Sequence, residues 1–174
     1  MREAPPPYRG EVAHALWHVS EDDSIGRFEP REGKVWAIDT RLWPLYWFPR
    51  ECPRATFWAD SGTTDADAAR FLGGDRERRV HVVEPWWLEQ MRTARVVAYR
   101  MPEETFAPNE DRFWISDVAV EPLELVELGD LVERHEAAGI ELRTETNLLR
   151  FWDAVVASSL GFSGIRLRDA RMTA

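Results

Sequence analysis

Residues 35–60, VWAIDTRLWPLYWFPRECPRATFWAD, set two strand-forming runs (35–39 and 55–59) on either side of a connection holding Trp43, Tyr46, Trp47 and Phe48. Three prolines in that connection, Pro44, Pro49 and Pro53, forbid both a long helix and a continued strand. Trp36 and Trp58 bring two more of the chain's nine tryptophans into the same window. Each aromatic buries roughly 150–250 Å², so the window predicts the hydrophobic centre of the fold and the wall of a pocket. Trp36, Phe57 and Trp58 sit within β-prone runs and are expected in the core.

The rest of the chain is read around that centre. At 174 residues, 44% of them hydrophobic, it suits one domain with a substantial core. The first strand is expected over 13–20, with Leu16, His14 and His18 on one face and Trp17 and Val19 on the other. Helices are predicted over 65–72, 85–94, 130–138 and 147–160. Thr64 or Asp65, Asp130 and Asn147 supply N-caps, Pro85 a first-turn position, and Gly73, Gly139 and Gly161 the stops. Further strands are expected over 79–84, 95–101, 113–120, 123–128 and 140–143, with a last one in the tail SGIRLRDA. The acidic, proline-flanked stretch 102–111 reads as the most mobile loop. Strands and helices alternate without βαβ spacing, and no G-x-G-x-x-G turn is present. The fold class is therefore α+β: one domain over 11–174 with a bent, mostly antiparallel (split) sheet and four or so helices. It follows a flexible, proline-rich arm over 1–10 that is expected to pack little.

Charge narrows the function classes. The net charge of −9 argues against a nonspecific nucleic-acid or anionic-membrane binder, which needs a positive surface. Lys34 is the only lysine, so the basic residues are nearly all arginines, the side chain suited to fixed recognition of phosphate and carboxylate. Cys52 is the single cysteine, which rules out an intrachain disulfide. Its neighbours Arg50 and Arg54 favour a thiolate, but no histidine is placed beside it in sequence, and a buried inert thiol is the expectation. No run of eighteen apolar residues occurs, and the opening MREAPPPYRG is not of leader type. A soluble, cytoplasmic protein is predicted.

Several residues invite chemistry. His14 and His18 have the H-x-x-x-H spacing, but on a strand they stand about 13 Å apart at roughly 3.3 Å per residue, too far for one ion, so no metal is expected. Ser163 in GFSG lacks the strand–turn–helix setting of a nucleophile elbow. His18 ends an apolar strand where an imidazole can bind a hydroxyl or move a proton near neutral pH. Tyr46 and Trp47 offer an aromatic shelf to a planar heterocycle. Asp117, Glu121 and Glu124 fall on or beside a late strand pair, where one carboxylate can stabilise a developing cation. Ser20, Arg27 and Arg31 follow His18 and are placed to hold phosphate oxygens.

The segments LWHVSEDDSIGRFEPR (16–31), VWAIDTRLWPLYWFPRECPRATFWA (35–59), EPLELVELGDL (121–131) and NLLRFWDAVVASSLGFSGIRLRDA (147–170) resemble a family of uncharacterised bacterial proteins. More distantly, Leu16-Trp17-His18 followed by Tyr46 resembles the ADP-ribosyltransferase fold, including its tRNA 2′-phosphotransferase branch. That resemblance implies NAD as cofactor, His18 on its ribose, Tyr46 against nicotinamide, and Asp117 or Glu121 as the acid. The sequence lacks the Ser-Thr-Ser and Glu-x-Glu motifs of such enzymes. The alternative is a noncatalytic protein whose aromatic pocket holds a nucleotide-like ligand. A partner-binding domain would need an exposed aromatic patch.

Overall fold

The computed structural model describes residues 3–171. In chain order the elements are β1 (Leu16–Ser20), β2 (Val35–Asp39), a 3-10 turn (Trp43–Tyr46), β3 (Arg54–Trp58), α1 (Asp65–Leu72), β4 (Arg79–Val83) and α2 (Trp87–Thr93). There follow β5 (Val97–Met101), β6 (Ala107–Pro108), β7 (Trp114–Ser116), β8 (Glu124–Glu127), α3 (Leu131–Ala137), β9 (Glu141–Thr144), α4 (Leu148–Val156) and β10 (Gly161–Ile165). Six strands form one sheet in the order β6-β7-β2-β1-β5-β8, and four form a second in the order β10-β3-β4-β9. Every named pair is antiparallel except β4–β9. The α+β class with a split, mostly antiparallel sheet is thus the architecture found.

The 3-10 turn explains the split. β2 ends in a turn where the Leu42 N–H donates to the Asp39 carbonyl and carboxylate, and the Pro44 turn then carries the chain across to β3, which opens the second sheet. The aromatic side chains of the crossing fill the space between the sheets: Trp43, Leu45, Trp47, Phe48 and Cys52 are buried there with Trp17, Ile38 and Trp58. On the far face of the second sheet, Ala55, Phe57, Val80 and Val82 pack against Phe71 and Leu72 of α1 and Leu148 and Val155 of α4. β3 and β4 are covered on both faces, and all ten of their residues are buried. The far face of the first sheet is closed by Phe28, Phe106 and Val120 over Leu16, Ala37 and Tyr99.

Local chemistry sets the boundaries. Thr64 caps α1 by accepting from the Asp67 N–H, and Gly73 closes it at a φ of 65°. The Asp130 carboxylate accepts from the Val132 and Glu133 N–H groups at the start of α3. α4 ends at Val156, short of the expected 160, because Ser158 and Ser159 turn out of helix. The Ser158 hydroxyl donates to the Val155 carbonyl, and the Ser159 N–H and hydroxyl both bond the Asp67 carboxylate. Gly161 is consequently no helix stop but the first residue of β10. A Cβ there would come within 2.5 Å of the Trp58 indole, so only glycine lets the strand lie against that ring.

Three other expectations need correction. The strand expected over 113–120 stops at Ser116, whose hydroxyl folds back on the Val118 backbone. Trp36 is 39% exposed rather than core, because it sits on the open side of β2 beyond the aromatic crossing, beside Lys34 and Phe113. The proline-rich start packs instead of standing clear: Pro5 and Tyr8 are buried, with the Tyr8 ring edge-on to Trp47. No helix among the described residues is long and apolar enough to cross a membrane.

Candidate functional site

A cleft opens where β1 and β2 part. Their pairing ends at Trp17↔Ile38, whereas β1 continues along β5 to Ser20↔Val97. His18 fills the break: its Nδ1 lies 2.7 Å from the Trp36 carbonyl oxygen. A carbonyl only accepts, so Nδ1 carries the proton and the imidazole stands in for the missing backbone donor. The ring leans on Phe28 with centroids 4.7 Å apart. Burial holds the His18 pKa below its ordinary value, and Arg31 and Arg50 act in the same direction against the Trp36 bond. His18 is therefore neutral at pH 7, with Nε2 as an acceptor.

The cleft has two adjoining lobes that share His18, Ser20, Arg31 and Arg50. The first, of about 400 Å³, runs under the 22–36 segment and adds Arg27, Lys34, Phe28 and Trp36, with Asp22 and Glu29 as its acids. The second, of about 300 Å³, runs toward the second sheet and adds Tyr46, Phe48, Arg54, Arg166 and Glu21. A smaller apolar recess between Trp36, Tyr46 and Phe113 opens beside them, again at His18.

Charge in the second lobe is unbalanced. Arg54 is 3% exposed and points its guanidinium between the faces of Tyr46 and Phe48, at 5.6 and 5.0 Å from the ring centroids. Its Nε and Nη1 donate to the Leu45 and Cys52 carbonyls, both at 3.0 Å. Among the described residues, no carboxylate lies within ion-pair distance of Arg54 or Arg31. Burial brings the Arg54 pKa down to about 10, against the opposing effects of Cys52 and Tyr46, so the group stays cationic at pH 7. Arg166 and Arg50 share Glu51, at 3.2 and 3.7 Å. Glu21 accepts from the Arg50 backbone N–H at 2.9 Å. The Cys52 thiol is buried and pushed up to about 12 by desolvation, which fits the inert role expected of it.

The structure brings some predicted site residues together and separates others. His18, Ser20, Arg31 and Tyr46 line the second lobe, and Arg27 lines the first. Arg27 is already held by Glu29 at 2.8 Å and Glu121 at 3.4 Å. Asp117 and Glu121 line neither lobe: the early end of β7 leaves Asp117 in an exposed bend, and Glu121 reaches outward to Arg27. Trp47 lies on the opposite side of the 3-10 turn from Tyr46, 2% exposed, against Tyr8, Trp43 and His135. Sequence reasoning missed Glu21 and Arg166 and singled out Arg50 and Arg54 only as neighbours of Cys52. One signal for Arg54 was present: it is the lone charge in the strand-forming run RATFWA after Pro53. Among the described residues, no three His, Cys, Asp or Glu side chains gather as a metal site.

Over residues 17–170 the chain matches, and so belongs to, a family of unknown function (DUF6886). No curated protein and no solved structure matches it.

Proposed function

We propose that the two-lobed cleft around His18 binds a small anionic ligand carrying a planar ring, a molecule of nucleotide type, with NAD the first ligand to try. The observation that carries this reading is Arg54. A buried guanidinium without a carboxylate opposite it is costly, and its charge is left to be met by whatever enters the lobe. Arg31, Arg50 and Arg166 stand around the same space, and arginine binds phosphate or carboxylate through charge-assisted, often bidentate bonds. Tyr46 and Trp36 flank the apolar recess, which suits a ring.

Transfer chemistry on NAD would also require a carboxylate next to the scissile glycosidic bond to stabilise the oxocarbenium-like centre. Glu21 is the acid of the second lobe, so this second reading rests on Glu21 rather than on Asp117 or Glu121. Titration of NAD, ADP-ribose, ADP and inorganic phosphate at low salt, followed by calorimetry, tests the binding reading. Saturable one-to-one binding is expected, weakened about 10–100-fold in Arg54→Met, the loss of a hydrogen bond to a charged group. No binding of any of the four at millimolar concentration would overturn it. Release of nicotinamide, abolished in Glu21→Gln, would add the transferase; binding without release leaves a ligand-binding protein.

A further inference from the structure

The N-terminal segment is held as an extended peptide is held by a receptor. Three of its backbone carbonyls each accept from a side chain of the body: Glu3 from Trp58 Nε1 at 3.1 Å, Pro5 from Arg41 Nη1 at 3.4 Å, and Pro6 from Arg79 Nη1 at 3.3 Å. Residues 3–8 belong to no helix or strand, and Pro5, Pro6 and Pro7 have no N–H to satisfy. Side-chain donors aimed at the carbonyls of a proline run, set beside aromatic rings, are the means by which polyproline segments are recognised. Tyr8 then drops between Trp47 and Arg79, 5.4 and 5.5 Å away. The Arg9 N–H donates to the Ala138 carbonyl at 2.9 Å.

The seat is imperfect in a particular way. Seven buried side-chain polar atoms among the described residues lack a hydrogen-bond partner, and five of them are here: Tyr8 Oη, Glu11 Oε2, Trp43 Nε1, Trp47 Nε1 and Arg79 Nε. These groups find no partner within the chain, so the contact leaves polar atoms of both arm and seat unmatched. An open space of about 690 Å³ continues alongside, between Tyr8 and Val12 on one side and Trp43, Trp47 and Arg134 on the other. A segment that belonged permanently to the core would have closed both defects. The family match starts at residue 17, so the arm lies outside it, whereas Arg41, Trp47, Trp58 and Arg79 lie inside.

We infer that this groove is a docking site for extended peptides whose proline run is followed by tyrosine, and that the chain's own arm occupies it as a removable ligand. The inference is independent of what the His18 cleft binds. Tethering gives the arm an effective concentration of order millimolar, so a free peptide gains access only when the arm is weakened.

The test uses the full chain with Tyr8→Ala and a fluorescein-labelled peptide of residues 3–11, EAPPPYRGE. Saturable one-to-one binding is expected, at least tenfold tighter than to the unaltered chain, and lost when the peptide's tyrosine is replaced by alanine. A Tyr8→Ala chain with unchanged circular dichroism and no binding up to 1 mM peptide, on the order of that effective concentration, would overturn the inference. Hydrogen exchange on the unaltered chain decides the matter even if Tyr8→Ala fails to fold. The Arg9 amide should exchange at least 100-fold faster than amides of β3, through local detachment of the arm. Exchange of Arg9 only with global unfolding would make the arm part of the core and refute the proposal.

Discussion

Arg54 and Arg79 stand at opposite ends of the β3–β4 ladder on one face of it, since Arg54 pairs with Val83 and Arg79 with Trp58. Both are buried, and desolvation brings the pKa of each down to about 10. Each spends two guanidinium nitrogens on backbone carbonyls: Leu45 and Cys52 for Arg54, Pro6 and Arg41 for Arg79. They differ in what closes the end of the ladder. Tyr8 covers Arg79, whereas Arg54 opens on an arginine-lined lobe. The two ends teach the same lesson from opposite sides. Neither guanidinium has a carboxylate within ion-pair distance among the described residues; the arm covers one, and the proposed ligand would cover the other.

The largest effect is expected at the covered end. Trp58 is 3% exposed, and it both fills the core and donates to the Glu3 carbonyl. Trp58→Ala should cost about 3–5 kcal/mol and detach the arm, read as a lowered melting midpoint together with fast tryptic cleavage at Arg9. Ligand affinity in the His18 cleft should be unchanged at a temperature where the variant is folded. Equal loss of affinity would mean that the two ends are coupled through the ladder.

Midway between the arginines sits a buried imidazole pair. His135 Nδ1 lies 2.6 Å from the Leu131 carbonyl, so it donates, and His135 Nε2 must then accept from His81 Nδ1 at 2.9 Å. Both rings are neutral in the fold. Burial lowers the His135 pKa to about 4 and holds that of His81 well below its ordinary value, with Arg79 adding to the effect on each. The unfolded chain protonates near 6.5, so it binds more protons than the folded one between about 4 and 6.5, and stability falls as pH falls through that window. The drop is on the order of 3 kcal/mol for His135 alone. Melting midpoints from pH 7 to pH 4.5 check it. A flat profile would mean that the pair is not held neutral.

Much of the scaffold was legible because its signals are local. The cap at Asp130, the Thr64-to-Gly73 helix and the alternating runs of β2 and β5 follow from neighbours in sequence. The cleft was half legible. His18 and Tyr46 were visible as a polar group ending a strand and an aromatic among prolines. That they share a lobe depends on β1 and β2 parting at Trp17↔Ile38, which no residue type announces. Arg166 joins them only because β10 pairs with β3 across more than a hundred residues. Trp36 and Trp47 exchanged expected places for a related reason. A strand residue shows its face only once the partner sheet is known, and a 3-10 turn sends successive side chains in different directions.

Replacing each arginine by methionine separates the two ends. Both changes remove a buried charge and leave two carbonyls without a donor, so those contributions largely cancel between the variants. Each also loses cation–π contacts, with Tyr8 in Arg79→Met and with Tyr46 and Phe48 in Arg54→Met. The two should therefore lie within about 1 kcal/mol of each other, measured by urea denaturation at pH 7.5. Tryptic cleavage at Arg9 should speed up only in Arg79→Met, and only Arg54→Met should lose anion binding. Equal cleavage rates would show that Arg79 does not hold the arm.

The smallest effect is expected at the mouth of the open end. Trp36 is a large aromatic on a central strand, and placed there by sequence alone it would cost as much to remove as Trp58. At 39% exposure, with its ring in contact with Lys34 and Phe113 rather than the inter-sheet core, Trp36→Ala should change stability by less than about 1 kcal/mol. Removing the more hydrated indole should also shift the mean tryptophan emission to shorter wavelength, whereas Trp58→Ala should not. A melting loss near that of Trp58→Ala would put Trp36 in the core, and the cleft would lose the exposed ring against which a planar ligand is proposed to lie.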